Sequence, residues 1–205
     1  MTYYLYHIPG KKIGITKDLK KRVEEQQGYS EGEYDIILET DDINIISEAE
    51  WQWYLSGDPC IDALGEIYGK VPEIWKRMAN EHGRVNSNYG WQWQRSYDGV
   101  SQLDSVIKTL KDNPESRQAA ISIYDCKEQH RYDNDTPCTY AVQFTIVHNR
   151  LDMCVTMRSN DLWYGFCNDQ YQFSKLQEMV SKRLRIETGV YYHFAHNMHL
   201  YNNKI

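Results

Sequence analysis

TYAVQFTIV at Thr139–Val147, HNR at His148–Arg150 and LDMCVTMR at Leu151–Arg158 form the stretch from which the fold is read. Both outer runs are apolar and β-prone, and three residues suited to a tight turn separate them. That pattern predicts an antiparallel hairpin. Upstream, Ala119–Tyr124 reads as another strand. Downstream, Phe173–Ile186 reads as an amphipathic helix with Leu176, Met179, Val180 and Leu184 on one face. Val190–Ala195 returns as a strand. Earlier in the chain, helices are expected over Val100–Lys111, before the breaker Asp112-Asn113-Pro114, and over Pro72–Glu81, ending at Gly83. A third should run from a Ser47 cap to Leu55. Residues 1–46 read as a small α/β element, with strands at Tyr3–Tyr6, Lys12–Ile15 and Tyr34–Glu39. Its helix, Lys17–Gln27, closes at Gly28. The sequence therefore predicts an α+β protein with a large mixed sheet, divided into residues 1–46 and a main body at 47–205.

Composition sets the limits on function. The 205 residues carry a net charge of −6, with 41% hydrophobic and 25% charged residues, as in an ordinary globular protein. A chain of this size buries roughly 70% of its unfolded surface and needs no staples. No apolar run approaches the ~18 residues of a membrane span. The first residues, MTYYLYHIPGKK, lack the basic-then-apolar order of an export signal, so a cytoplasmic location is expected. The five cysteines are then expected as reduced thiols. The acidic balance argues against a broad nucleic-acid grip, though not against a local basic pocket.

Two local features suggest chemistry. Cys138 follows Pro137 at the mouth of the first hairpin strand, after a polar loop. A cation beside such a thiol lowers its pKa and makes it a nucleophile, and Arg158 at the end of the paired strand is the expected cation. The competing reading is a buried, inert cysteine. Arg158-Ser159-Asn160-Asp161 then clusters polar groups at the end of an apolar strand. Arg with Ser is a common phosphate-holding pair, and a solvated loop is the plain alternative.

In order and spacing, Asn86-Ser87-Asn88-Tyr89-Gly90-Trp91, Asn113-Pro114-Glu115-Ser116-Arg117, Pro137-Cys138, Gln143-Phe144, Met157-Arg158-Ser159-Asn160-Asp161, Gly165, Asn168-Asp169 and His199-Leu200-Tyr201 resemble the thymidylate synthase family. Their details look most like its phage-type deoxycytidylate hydroxymethylases. The resemblance covers Glu48–Ile205. It implies a homodimer that transfers a one-carbon unit from methylenetetrahydrofolate to ring carbon 5 of a pyrimidine deoxynucleotide monophosphate. By the same resemblance, Cys138 is the covalent nucleophile, and Glu50 organises water and moves protons. Tyr89 lies beside the nucleophile. Arg158, Ser159 and a partner subunit's Arg117 hold the phosphate, His199 and Tyr201 bond the sugar, and Trp75, Asp161 and Gly165 flank the folate. Asp169 matches the position that reads the base. Thymidylate synthases have asparagine there, and hydroxymethylases have aspartate, which suits the amine and protonated ring nitrogen of cytosine.

The pattern departs from the family in three places. Gln118 replaces the second arginine of a pair, the N-terminal phosphate-loop arginine has no evident match, and only four residues follow Tyr201. Residues 1–55 also resemble a GIY-YIG nuclease module, through Tyr4-Leu5-Tyr6, Lys12-Ile13-Gly14, Arg22 and Glu50. A structural cap on the nucleotide enzyme is the expected role of residues 1–46, with a DNA nuclease as the alternative. His193, His196 and His199 have the three-residue spacing of ligands on one helical face, but a strand is expected before them and the resemblance gives His199 a sugar-binding role, so no metal is expected.

Overall fold

The structure, a computed structural model, describes every residue except 1–2, 9–11, 17, 41–42, 69–70, 72, 126–133, 163–164 and 201–205. The chain divides into two compact units, Met1–Val85 and Asn86–Ile205.

In the first unit, β1 (Tyr3–Ile8) is the central strand between β2 (Lys12–Thr16) and β3 (Asp35–Thr40), and both pairings are antiparallel. The helix expected over Lys17–Gln27 is a short π-helical segment, Lys20–Glu25, in which the Gln26 N–H donates to the Lys21 carbonyl. Its buried Val23 packs with Tyr6 and Ile8, and Leu19, Tyr29 and Tyr34 pack against them. Then come α1 (Ile43–Ser56), α2 (Ile61–Tyr68) and α3 (Glu73–Met78). Helix α1 begins upstream of Ser47, so Ser47 is not its cap.

The second unit opens with α4 (Tyr89–Gln94), a short β4–β5 hairpin (Ser96–Tyr97 and Val100–Ser101) and α5 (Gln102–Asp112). The expected helix start at Val100 is displaced because Val100 and Ser101 pair as β5. The Ser101 side chain then caps α5 by accepting from the Asp104 N–H. The main sheet has the order β10-β8-β7-β6, from β6 (Ala120–Ser122), β7 (Thr139–Val147), β8 (Arg150–Met157) and β10 (Glu187–Ala195). The predicted hairpin is β7–β8, whose turn residues His148 and Asn149 both have positive φ. Strand β10 runs parallel to β8. Between β8 and β10 lie β9 (Asn160–Asp161) and α6 (Phe166–Leu184), and β11 (Met198–His199) pairs in parallel with β9.

Alternation along the strands separates two faces. Ile121, Val142, Phe144, Leu151, Met153, Val155 and Met157 point inward and are fully buried, as are Phe173, Leu176 and Val180 of α6. Burying one such side chain contributes about 1.5–3 kcal/mol, so this layer fixes the strand ends that carry the polar residues. The opposite face bears Val190, Tyr192 and Phe194, each about half exposed. At Gly189 an added Cβ would collide with the Asp152 side chain, which accepts from the Val190 N–H at 2.7 Å.

Helix α6 starts seven residues before the expected Phe173. Its first two turns, with Cys167, Asn168, Asp169 and Gln170, have no apolar period to read. They are helical all the same, because the Asp169 N–H donates to the Gly165 carbonyl at 2.8 Å. The helix closes at Leu184, one residue before Arg185 in the left-handed region. No helix among the described residues is long and apolar enough to cross a membrane.

Candidate active site

Cys138 is the residue just before β7, in a loop whose carbonyls are taken in succession. Asn86 Nδ2 donates to the Asp135 carbonyl at 3.0 Å. Arg158 Nη2 donates to the Thr136 carbonyl at 2.8 Å, and its Nε donates to the Pro137 carbonyl at 3.1 Å. The Tyr124 hydroxyl also donates to Pro137, at 3.0 Å. The Arg158 N–H donates to the Cys138 carbonyl at 2.8 Å. The strand end that supplies Arg158 therefore holds the thiol loop directly. A guanidinium has five N–H donors, so others are left for an anion.

Burial dominates the thiol, pushing it above the ordinary cysteine range. The Arg158 charge pulls it down, and Asp169 and Asp135 push it up. Arg158 is thus the expected cation, but the net shift is upward, because desolvation outweighs it. Tyr89, the first residue of α4, is 4% exposed, and its ring lies 5.3 Å from that of Phe173. Its hydroxyl is pushed well up, first by burial and then by the charges of Asp169, Cys138 and Asp135. Cys138, Tyr89, Asp169 and Arg158 therefore share one electrostatic neighbourhood.

Asp169 stands in the first turn of α6, where the N-terminal dipole favours a carboxylate. A Cβ on Gly165 would lie 3.0 Å from Asn160 Oδ1, 3.2 Å from Asp169 Oδ2 and 3.5 Å from the Asp161 carbonyl. Glycine at 165 keeps this corner open. The neighbouring Asn168 is bonded within α6, its Oδ1 accepting from Gln172 Nε2 at 3.4 Å.

Ser159 Oγ and His199 Nδ1 share a hydrogen bond at 3.3 Å, joined by the β9–β11 pairing of Asp161 with His199. Arg117 is exposed on the turn before β6. Glu50, on α1, accepts from the Tyr54 hydroxyl at 3.0 Å, and Trp75, on α3, meets Trp53 edge-on at 5.2 Å. Both belong to the first unit. Tyr201 lies outside the described residues.

Sequence reading missed two sets of residues. Asp135 is 2% exposed, and the Ser87 N–H donates to its Oδ2 at 2.7 Å. Buried Asn160 lies 2.9 Å from His193 Nε2, and His193 Nδ1 lies 2.8 Å from the Tyr191 hydroxyl. Burial holds His193 below the usual histidine range and so favours the neutral ring. The three-residue histidine spacing drew attention to a metal instead of to this side-chain chain. The described cysteines Cys60, Cys138, Cys154 and Cys167 are free.

Comparison with known proteins adds an independent line. The family profile described as Thymidylate synthase matches residues 40–205. The chain is 36% identical over 141 residues to the deoxycytidylate 5-hydroxymethyltransferase of Enterobacteria phage T4, covering 65% of this chain and 55% of that protein. It is 30% identical over 198 residues to the thymidylate synthase of Francisella philomiragia subsp. philomiragia, covering 90% and 69%. The chain spans little more than half the length of the phage relative. Among solved structures, thermostable thymidylate synthase A from Bacillus subtilis aligns with a TM-score of 0.63 at 30% identity, over 77% of this chain and 56% of that one. Thymidylate synthase from T4 phage aligns with a TM-score of 0.66 at 26% identity, over 78% and 59%.

Proposed function

Because the chain belongs to the thymidylate synthase family, we propose that it transfers a one-carbon unit from methylenetetrahydrofolate to ring carbon 5 of dCMP, giving 5-hydroxymethyl-dCMP. The observation that carries this reading is the carboxylate of Asp169 in the electrostatic neighbourhood of Cys138 and Tyr89.

The thiolate of Cys138 adds to ring carbon 6, and the electron pair of the 5,6 double bond moves to carbon 5. Carbon 5 bonds the methylene carbon that the folate supplies and then loses its proton. The pair left on carbon 5 forms the new double bond as the bond from that carbon to the folate nitrogen breaks, and tetrahydrofolate leaves with the nitrogen's pair. This leaves an exocyclic methylene on the ring. Water adds there and gives up a proton. The electron pair of the exocyclic double bond returns to carbon 5 and restores the 5,6 double bond, while the sulfur–carbon bond breaks and Cys138 leaves with that bond's pair as thiolate. Asp169 accepts from the exocyclic amine and from the ring nitrogen that gains a proton as charge develops. Facing uracil, the same carboxylate meets a carbonyl lone pair, and a mispaired buried group is selective. The bond from Gln172 to Asn168 supports Asp169, not its neighbour, as the base reader.

Arg158 and Ser159 hold the phosphate, and His199 and Tyr201 the sugar. Asp161, Gly165 and Trp75 flank the folate, and Glu50 moves protons. A second copy of the chain completes the site with its Arg117. The half-exposed face of Val190, Tyr192 and Phe194 supports such a homodimer. Residues 1–46 act as a structural element. Tyr6 supports this, since it is 1% exposed and its hydroxyl accepts from Gln27 Nε2 at 3.0 Å, as a core residue would.

Mass spectrometry of the product from dCMP and methylenetetrahydrofolate tests the reading. Hydroxymethyl-dCMP is expected. A methylated product, or turnover of dUMP alone, would place the chain with the methyl-transferring branch.

A further inference from the structure

The motif Asn86-Ser87-Asn88 has a use that its polarity does not announce. Asn88 caps α4, its side chain accepting from the Trp91 N–H at 2.8 Å. Asn86 and Ser87 reach instead to Asp135, three residues before the thiol. Asn86 takes its carbonyl, and Ser87 holds both carboxylate oxygens, through its N–H on Oδ2 and its hydroxyl on Oδ1. One donor on each oxygen is what an ionised carboxylate accepts. Asp135 thus joins the two segments that carry Cys138 and Tyr89.

We propose that Asp135 is a positioning residue for Cys138: its buried carboxylate, locked onto Ser87, fixes the loop that presents the thiol to the segment that presents Tyr89. This rests on the reading of Cys138 as nucleophile.

Packing alone does not account for an acid here. Burial pushes the Asp135 carboxyl up, and the Ser87 and Asn86 bonds and the Arg158 charge only partly offset that. A carboxylate whose folded pKa is raised favours folding at low pH and loses that contribution as pH rises through the folded value. At neutral pH Asp135 therefore costs stability, whereas asparagine would accept from the Ser87 N–H and donate to the Ser87 hydroxyl without the charge. The charge also faces the thiol. The groups acting on Cys138 are Arg158 just after β8, Asp169 from α6 and Asp135 from the loop, with Tyr89 of α4 and Tyr124 nearby. Removing Asp135 leaves Arg158 opposed by one carboxylate instead of two.

The test uses the full chain as wild type, Asp135→Asn, Asp135→Ala and Ser87→Ala. Alkylation of the peptide bearing Cys138 by iodoacetamide is followed by mass spectrometry across a pH series, beside kcat and KM for dCMP and thermal melting. Asp135→Asn should alkylate with a lower pH midpoint, melt no earlier than wild type at neutral pH, and lose about tenfold in kcat with KM little changed. A thiol freer to ionise yet slower with nucleotide is the signature of lost positioning. Ser87→Ala should lose kcat in the same sense, with a smaller midpoint shift because the charge remains. Wild-type kcat and midpoint in both Asp135→Asn and Ser87→Ala would overturn the proposal. So would earlier melting of Asp135→Asn with an unchanged midpoint, which marks a packing role alone. If Asp135→Ala does not fold, the other two variants decide. Turnover retained by Cys138→Ala would instead remove the nucleophile reading, and the alkylation midpoints would still report on Asp135.

Discussion

The two units spend their polar residues differently. In Met1–Val85 side-chain bonds such as Tyr34 to Glu24, Arg22 to Gln26 and Tyr54 to Glu50 stay close in sequence and are exposed or part-buried, and Gln27 reaches back to Tyr6. In Asn86–Ile205 polarity is driven inside. Every buried polar or charged residue among those described lies there, including Asn88, Gln92, Asp135, Thr139, Asn160 and Gln172. So do the groups that burial moves furthest, Tyr89 and Tyr191, and the candidate thiol. Burying polar groups opposes folding unless they are satisfied, and displaced titratable groups cluster where chemistry is done. The difference therefore separates a unit rich in buried polar groups from one whose proposed contributions to the chemistry are Glu50 and Trp75.

Three substitutions test that separation. The largest effect is expected from Cys138→Ala, which should reduce turnover of dCMP by at least about a thousandfold while melting like the wild type. Activity retained in that variant would remove the thiol from the chemistry. Next comes Asp169→Asn, which should shift the ratio of kcat/KM for dCMP over dUMP toward dUMP by about a hundredfold, since an amide can pair with uracil. An unchanged ratio would show that the base is read elsewhere. The smallest effect belongs to the first unit. Arg22→Ala should leave nucleotide turnover within about twofold, because Arg22 bonds Gln26 on its own segment. Mg²⁺-dependent nicking of DNA by the wild type, abolished in Arg22→Ala, would give that unit a chemistry of its own.

The hairpin, the strand ends and the spaced polar motifs were legible in the sequence because β7 and β8 keep a period of two beside a tight turn. The start of α6 was not, because its first two turns, with Asn168 and Asp169, are mostly polar and carry no apolar period. Arg158 was legible as a cation near Cys138, but the sign of the thiol's shift was not, since it depends on burial. Asp135 was hidden in a polar loop that looked solvent-facing, and only the fold brings it to Ser87, 48 residues earlier. The spacing of His193 was weighed only against a metal and set aside, and the bonds of its ring to Asn160 and Tyr191 were not legible.

The central claim is that Cys138 activates a cytosine ring whose identity Asp169 reads. Release of tritium from ring carbon 5 of labelled dCMP and labelled dUMP, with methylenetetrahydrofolate present, tests it most directly. The account predicts rapid release from dCMP, little from dUMP, and none from either in Cys138→Ala. Release from dUMP alone, or undiminished release in Cys138→Ala, would contradict it.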